Sequence, residues 1–454
     1  MQLNKRGTLR EGLAVATCLL LSVSMAHAEE GTSTDASATP TTSVDSEALY
    51  YSESGSRVKA VEGVVAIKQV LDDGSGINLH LTVDSLSGGS PNGALPSHTA
   101  QTFATPSGRS LLPPTVSTTV QTCTTPSGNS YACGTSPTQS NLYTTPAGKL
   151  PQDNAYTDQR EAISLGYDTA LGSNTHISGG GGYSHEIDFQ SLTANLALTQ
   201  DLNQKNTTLA LGANYEHDSI SPIGGTPVAL SDYALFERTG NKTKNVSGLT
   251  VGLTQILTRR WVTQLNLSLD KSSGYQNDPY KIVSELDSQG NPAGYIYEKR
   301  PDQRTKKILY WGNRFALDQD TINVSYRYEK DDWGVSSNTA ELRYRYEFGD
   351  GQFLEPVYRW YKQSSASFYR MYLNQGQALP ANVSADPRLG ALTAQTFGIK
   401  YGYEIDHDAE VSLKLERYQQ TNKVTMPVLP QLAGLDLIPR LTATVASINL
   451  KFKF

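Results

Sequence analysis

The residues best equipped for chemistry in this 454-residue chain fall into three groups. His176, His185 and His217 stand in its first half, with Glu186 and Asp188 beside His185. Such a mixture could serve general acid–base catalysis at a hydrolase site, or hold a metal. Asp406-His407-Asp408 has the composition of a metal triplet. Neither group has a ligand spacing such as His-Glu-x-x-His, and no phosphate-cradling loop is present. No catalytic residue, metal or cofactor is therefore assigned. The third group is larger: Arg327, Glu341, Arg343, Arg345, Glu355, Arg359, Lys400, Lys414 and Glu416. These charges alternate with apolar residues, which places them together on one face of extended segments. With a turn at Gly349-Asp350-Gly351, Arg345 should stand opposite Glu355, and Glu341 opposite Arg359. Across the preceding connection, Arg327 should stand opposite Glu341. Such a ladder either neutralises itself as part of a wall or forms a charged constriction that selects solutes. A strongly selective pore shows one dominant sign, so the mixed signs favour the wall.

The elements that carry these charges repeat one theme. Ile322, Val324, Tyr326 and Tyr328 alternate with Asn323, Ser325, Arg327 and Glu329. Phe397, Ile399, Tyr401, Tyr403 and Ile405 alternate with Gly398, Lys400, Gly402 and Glu404. The same period of two recurs from Ile77 to the C-terminus, which predicts strands with one apolar and one polar face. Gly179 to Gly182 fall inside one of them and suggest a bend or a close approach. No run approaches 18 apolar residues, so no helix should span a membrane.

The connections sort by length. Walking the chain, 85–157, 218–243, 271–303, 363–391 and 419–440 all fall on one side. The turns near Gly172, Arg259, Gln319, Asp350 and His407 fall on the other. Long outer loops alternating with short inner turns mark a transmembrane antiparallel up-and-down β-barrel. The walk yields 14 strands. Val61, Val65 and Ile67, then Asp72-Asp73-Gly74, and a run at Leu49-Tyr50-Tyr51 raise the count to 16, which we favour over 14.

The termini agree. Lys5, Arg6 and Arg10 precede an apolar stretch from Leu13 to Val23, and Ala26-His27-Ala28 fits a signal-peptidase site. Residues 1–28 read as a signal peptide, 29–46 as a disordered lead-in and 47–454 as the barrel. Cys18 lies in mid-stretch, with a better cleavage site downstream, so a lipoprotein reading is set aside. Cys123 and Cys133, close together in an exported chain, are expected to form a loop disulfide. At the other end, Ile448, Leu450, Phe452 and the final Phe454 alternate with polar residues, as in a strand offered to the outer-membrane assembly machinery. The expected location is the outer membrane of a Gram-negative bacterium, with a periplasmic C-terminus. The expected partners are outer-membrane lipid, the assembly machinery and periplasmic chaperones. The weak net charge of −6 argues for no particular partner, and nothing in the sequence points to nucleic acid.

The stretch Ser87-Gly88-Gly89-Ser90-Pro91-Asn92-Gly93-Ala94, after Tyr50-Tyr51-Ser52-Glu53-Ser54, resembles a family of predicted Gram-negative outer-membrane proteins known only by a domain of unknown function. The family usually has Ala where this chain has Gly89. The resemblance implies a barrel over most of the mature chain and carries over no functional residue. Physically, Ser-Pro-Asn-Gly is a turn sequence that should lie at the outer rim or fold into the mouth. The leading functional expectation is a pore or an import or export channel. The alternative is a plugged, non-conducting barrel that displays loops to a partner. The long 85–157 connection could make either true.

Overall fold

Period-two alternation leaves every other side chain on a common face, and hydrogen bonding between strands then fixes which face turns outward. In the computed structural model this produces one closed antiparallel barrel of 16 strands. The structure describes residues 40–105, 120–124, 130–135 and 142–454; the expected signal peptide lies outside them. The strands are β1 (Thr41–Glu53), β2 (Lys59–Val70), β3 (Gly76–Ser87), β4 (Thr157–Ala170), β5 (Thr175–His185), β6 (Phe189–Leu202), β7 (Thr207–Ile220) and β8 (Lys242–Thr258). They continue as β9 (Trp261–Gly274), β10 (Gln303–Ala316), β11 (Thr321–Asp331), β12 (Ser336–Phe348), β13 (Gln352–Gln363), β14 (Leu392–Asp406), β15 (Ala409–Asn422) and β16 (Leu441–Lys453). The favoured count of 16 therefore holds, and all the long connections leave one end.

The outward face is apolar and bare. Leu165, Leu192, Leu267 and Leu415 are each more than half exposed, and each belongs to an alternating run. In water such a belt would aggregate; in hydrocarbon it is the solvated surface.

One boundary moves. β1 begins at Thr41, so residues 41–46 are wall rather than part of a lead-in running to 46. Val44 pairs with Ile67 on one side and Phe452 on the other. Closure requires a partner for the last strand, and that demand outweighs the weak hydrophobicity of Thr41-Thr42-Ser43-Val44-Asp45-Ser46. Ile448 pairs with Ala48, and Leu450 with Ser46. The Phe454 amide donates to the Thr42 carbonyl at 2.9 Å, and the Thr42 amide donates back at 2.7 Å.

The long connections do not wave freely. They fold into a cap with its own interior. Leu95, Leu286, Trp333, Phe368, Met371, Leu389 and Leu432, from five separate connections, form one buried cluster. A small sheet orders Pro292–Tyr297, Ile282–Leu286 and Tyr372–Asn374. A second cluster gathers Ala94, Phe103, Ile282 and Tyr297. The Ser90-Pro91-Asn92-Gly93 turn docks the cap at its base. Lys281 Nζ donates to Ser90 Oγ and to the Pro91 carbonyl, both at 2.6 Å, and the Ile282 amide donates to the Asn92 carbonyl at 2.8 Å. This stretch therefore folds into the mouth, as one of its two expected positions.

In the same connection, 120–124 and 130–135 form a hairpin that pairs Cys123 with Tyr131. No disulfide is present among the described residues, which corrects the expectation for Cys123 and Cys133.

Gly93 has φ +99°, and a Cβ there would lie 2.3 Å from the Ile282 carbonyl oxygen. Gly93→Ala should cost about 1–3 kcal/mol, concentrated in the cap. Limited proteolysis should cut the 275–302 connection faster in this variant, while the heat-modifiable folded band of the barrel persists. Equal cleavage of both proteins would contradict the docking role of this turn.

Candidate functional site

The inward positions of β11 to β15 carry the charges singled out above, and the register decides which of them meet. Glu341 stands opposite Arg359, as expected from the turn at Gly349. Arg327 stands opposite Thr339, and Glu341 opposite Ser325, so the expected Arg327–Glu341 pairing does not form. The reason is local. β11 runs on to Asp331, whose amide donates to the Val335 carbonyl at 3.0 Å, and Gly334 at φ +89° closes the turn early. Early closure slides every pair in that hairpin by two residues. Arg327 instead donates to Glu329 on its own strand at 3.0 Å.

Glu341 is the centre of the ladder. It accepts from Arg343 Nε at 2.6 Å, and from Arg359 across the strand pair. Arg345 turns away from Glu355. It donates to Glu347 and to Glu404, and its guanidinium lies 3.6 Å from the Phe353 ring centroid. Glu355 stands opposite Lys400 in register, while the Lys400 ammonium lies 3.7 Å from Glu410. Lys414 and Glu416 pair at 2.9 Å along β15. Most of the ladder therefore compensates itself, as the mixed signs implied. At Glu341 two guanidiniums share one carboxylate, and Arg343 also lies in the field of Glu355 and Glu416. Both arginine side chains keep 44% of their surface open, against 14% for Glu341.

That open face lines a cavity of about 560 Å³ beneath the cap. Arg343, Arg359 and the Lys414–Glu416 pair stand on one wall. Leu49, Tyr51, Val58, Ala60, Leu86 and Val445 form another; the first five belong to a buried apolar cluster inside the barrel against which Val445 packs. Pro91, Leu150, Pro387 and Arg388 from the cap form the remaining side. Inward apolar residues break the usual polar lining of a barrel, so a space with one apolar wall and one charged wall, arginine-rich with Glu416 beside it, marks the site.

The cap residue Arg388 is held by a buried polar network that sequence spacing could not show. Arg388 donates to Asp278 at 2.8 Å and bonds Asp386; Arg300 bonds Asp386 at 2.9 Å and Glu298 at 2.7 Å. Burial holds the Glu298 carboxyl above its ordinary range and pushes the Lys281 ammonium down to about 8. The only local signal was Asp386-Pro387-Arg388, which reads as a turn; its partners lie roughly a hundred residues away in sequence.

The histidines do not assemble. His176 pairs with Ala170 and Thr199 near the short-turn end. His185 sits at the cap end, and His217 binds Asn245 on β8. In Asp406-His407-Asp408 the Asp408 amide donates to Asp406 Oδ1 at 2.9 Å, an ordinary turn contact. Glu186 and Asp188 do converge, and Asp158 joins them.

A family model described as "Protein of unknown function (DUF3570)" matches residues 10–452. No curated protein matches. Among solved structures, the outer membrane protein opdK from Pseudomonas aeruginosa is 9% identical, with TM-score 0.38, covering 92% of this chain and 99% of that one. The siderophore receptor PirA from Pseudomonas aeruginosa is 9% identical, with TM-score 0.40, covering 91% and 63%. The ferric enterobactin receptor PfeA is 10% identical, with TM-score 0.41 and 86% of this chain covered; the chain spans 55% of that receptor.

Neutralising the shared carboxylate removes one negative charge from beside two inward guanidiniums. Glu341→Gln in a planar bilayer should therefore shift the reversal potential toward anion preference, and Arg343→Ala should shift it the opposite way. If neither variant moves it, the trio does not face the conducting path.

Proposed function

The chain belongs to the DUF3570 family, and from that premise we propose that it is an outer-membrane barrel that takes up or releases a small amphiphilic anion through a lumen covered by a folded outer cap. The observation that carries this reading is the pair of half-open guanidiniums, Arg343 and Arg359, facing the apolar wall of Leu49, Tyr51 and Leu86 across one cavity. An anionic group gains charge-assisted hydrogen bonds from arginine, and an apolar body gains by leaving water. Neither wall alone would discriminate; together they favour a solute with a charged head and an aromatic or aliphatic body over an inorganic ion. At about 560 Å³ the space suits a small molecule rather than a polymer.

The bare apolar belt supports placement in a membrane, and the barrel architecture supports the outer membrane of a Gram-negative cell. In this reading the cap end is extracellular, the C-terminus is periplasmic and Phe454 ends the strand that the assembly machinery handles. The signal peptide 1–28 would deliver the chain there.

A second reading has a specific observation behind it. The cap has its own apolar interior and stands over the cavity, so the barrel can be closed to ions and act as a binding scaffold. Conductance separates the two. Reconstituted protein should carry small currents that an aromatic carboxylate such as benzoate reduces and the neutral amide benzamide does not. Arg359→Ala should weaken that block by about tenfold, the worth of one charge-assisted contact. A barrel that stays silent yet binds benzoate in calorimetry would favour the scaffold; one that conducts with no preference between benzoate and benzamide would sink the amphiphilic-anion assignment.

A further inference from the structure

We propose that Asp158, Glu186 and Asp188 form a divalent-cation site that clasps the cap to the barrel rim through Tyr280. The three carboxylates come from the start of β4 and the short β5–β6 connection. One ligand oxygen from each lies within 4.8 Å of the others. All three side chains are buried, Asp188 to 1% exposure. The Tyr280 hydroxyl, from the long 275–302 connection, donates to Asp188 Oδ2. The other oxygen, Asp188 Oδ1, is buried and has no hydrogen-bond partner among the described residues. An orphaned carboxylate oxygen at this depth has lost its water without a replacement, and a cation restores what burial removed.

The arrangement suits a hard ion. Three carboxylates offer only oxygen, which selects calcium or magnesium over the softer metals that histidine and cysteine attract. The ligands are themselves held in place: the Tyr156 hydroxyl donates to Asp158 Oδ2 at 3.2 Å, and the Gln159 amide to Asp158 Oδ1 at 2.8 Å. Hydrogen bonds of that kind orient metal-binding carboxylates. Because Tyr280 reaches the cluster from the cap, ion binding at the rim and order in the 275–302 connection are coupled.

Full-length protein in detergent, stripped with a chelator, tests this by calorimetric titration with calcium and with magnesium. One ion per chain is expected, with affinity about tenfold or more weaker in Asp188→Asn. Retention of the heat-modifiable folded band shows that the variant remains folded; if it is lost, Glu186→Gln takes its place. Tyr280→Phe should bind the ion but lose calcium-dependent protection of the 275–302 connection from protease. Absence of binding by the wild type, or equal binding by wild type and Asp188→Asn, overturns the site. Equal calcium protection of wild type and Tyr280→Phe overturns the clasp.

Discussion

Everything in this molecule follows from the cost of an unpaired amide in hydrocarbon. A strand facing lipid has no water to bond, so each N–H and C=O must find a strand on both sides, and the only sheet that satisfies this is one without edges. The first and last strands meet that demand here through Thr42 and Phe454, residues near opposite ends of the sequence. Once the wall is closed, its outward face must be apolar, and the remaining side chains point into a shared interior. The charges of β11 to β15 are concentrated there because there is nowhere else for them to go.

Inside, the balance between charge and burial separates wall from site. An arginine paired with a carboxylate along its own strand contributes little more than solubility to a wet lumen. Two half-open arginines on one carboxylate keep donors free for a further oxygen, and an apolar patch across a small cavity gives those donors a direction. The cap adds a different economy of charge. Arg300, Arg388, Glu298, Asp278 and Asp386 are removed from water together, so removing any one partner strands the others and would cost about 3–5 kcal/mol. Such a network fixes one geometry for the cap rather than simply holding it down.

The wall was legible because period two is a local property. Ile322 to Glu329 announces its facing without reference to anything distant, and the sorting of turns by length follows from counting. Register was less legible: a one-residue difference in where the turn after Asp331 closes moved Arg327 from Glu341 to Thr339. Thr41 to Ser46 were obscured by their polarity, since closure rather than hydrophobicity recruits them. The cap was illegible almost entirely. Lys281 meets Ser90, and Arg300 meets Asp386, only because loops from distant strands converge over one opening. The apolar lumen wall was half visible: Leu49 and Tyr51 could be seen as a strand, but not that this strand turns these side chains inward.

The circumferential origin of the cap has a consequence for how the molecule is made. Leu95, Leu286, Trp333, Met371 and Leu432 come from connections spread around the ring, so their cluster is among the most non-local contacts in the chain. Contacts of that kind pay their loop-closure entropy late. A half-inserted sheet holds these loops apart and cannot form the cluster. The cap is therefore the last part to order, and its presence at the surface reports that the ring below it is complete.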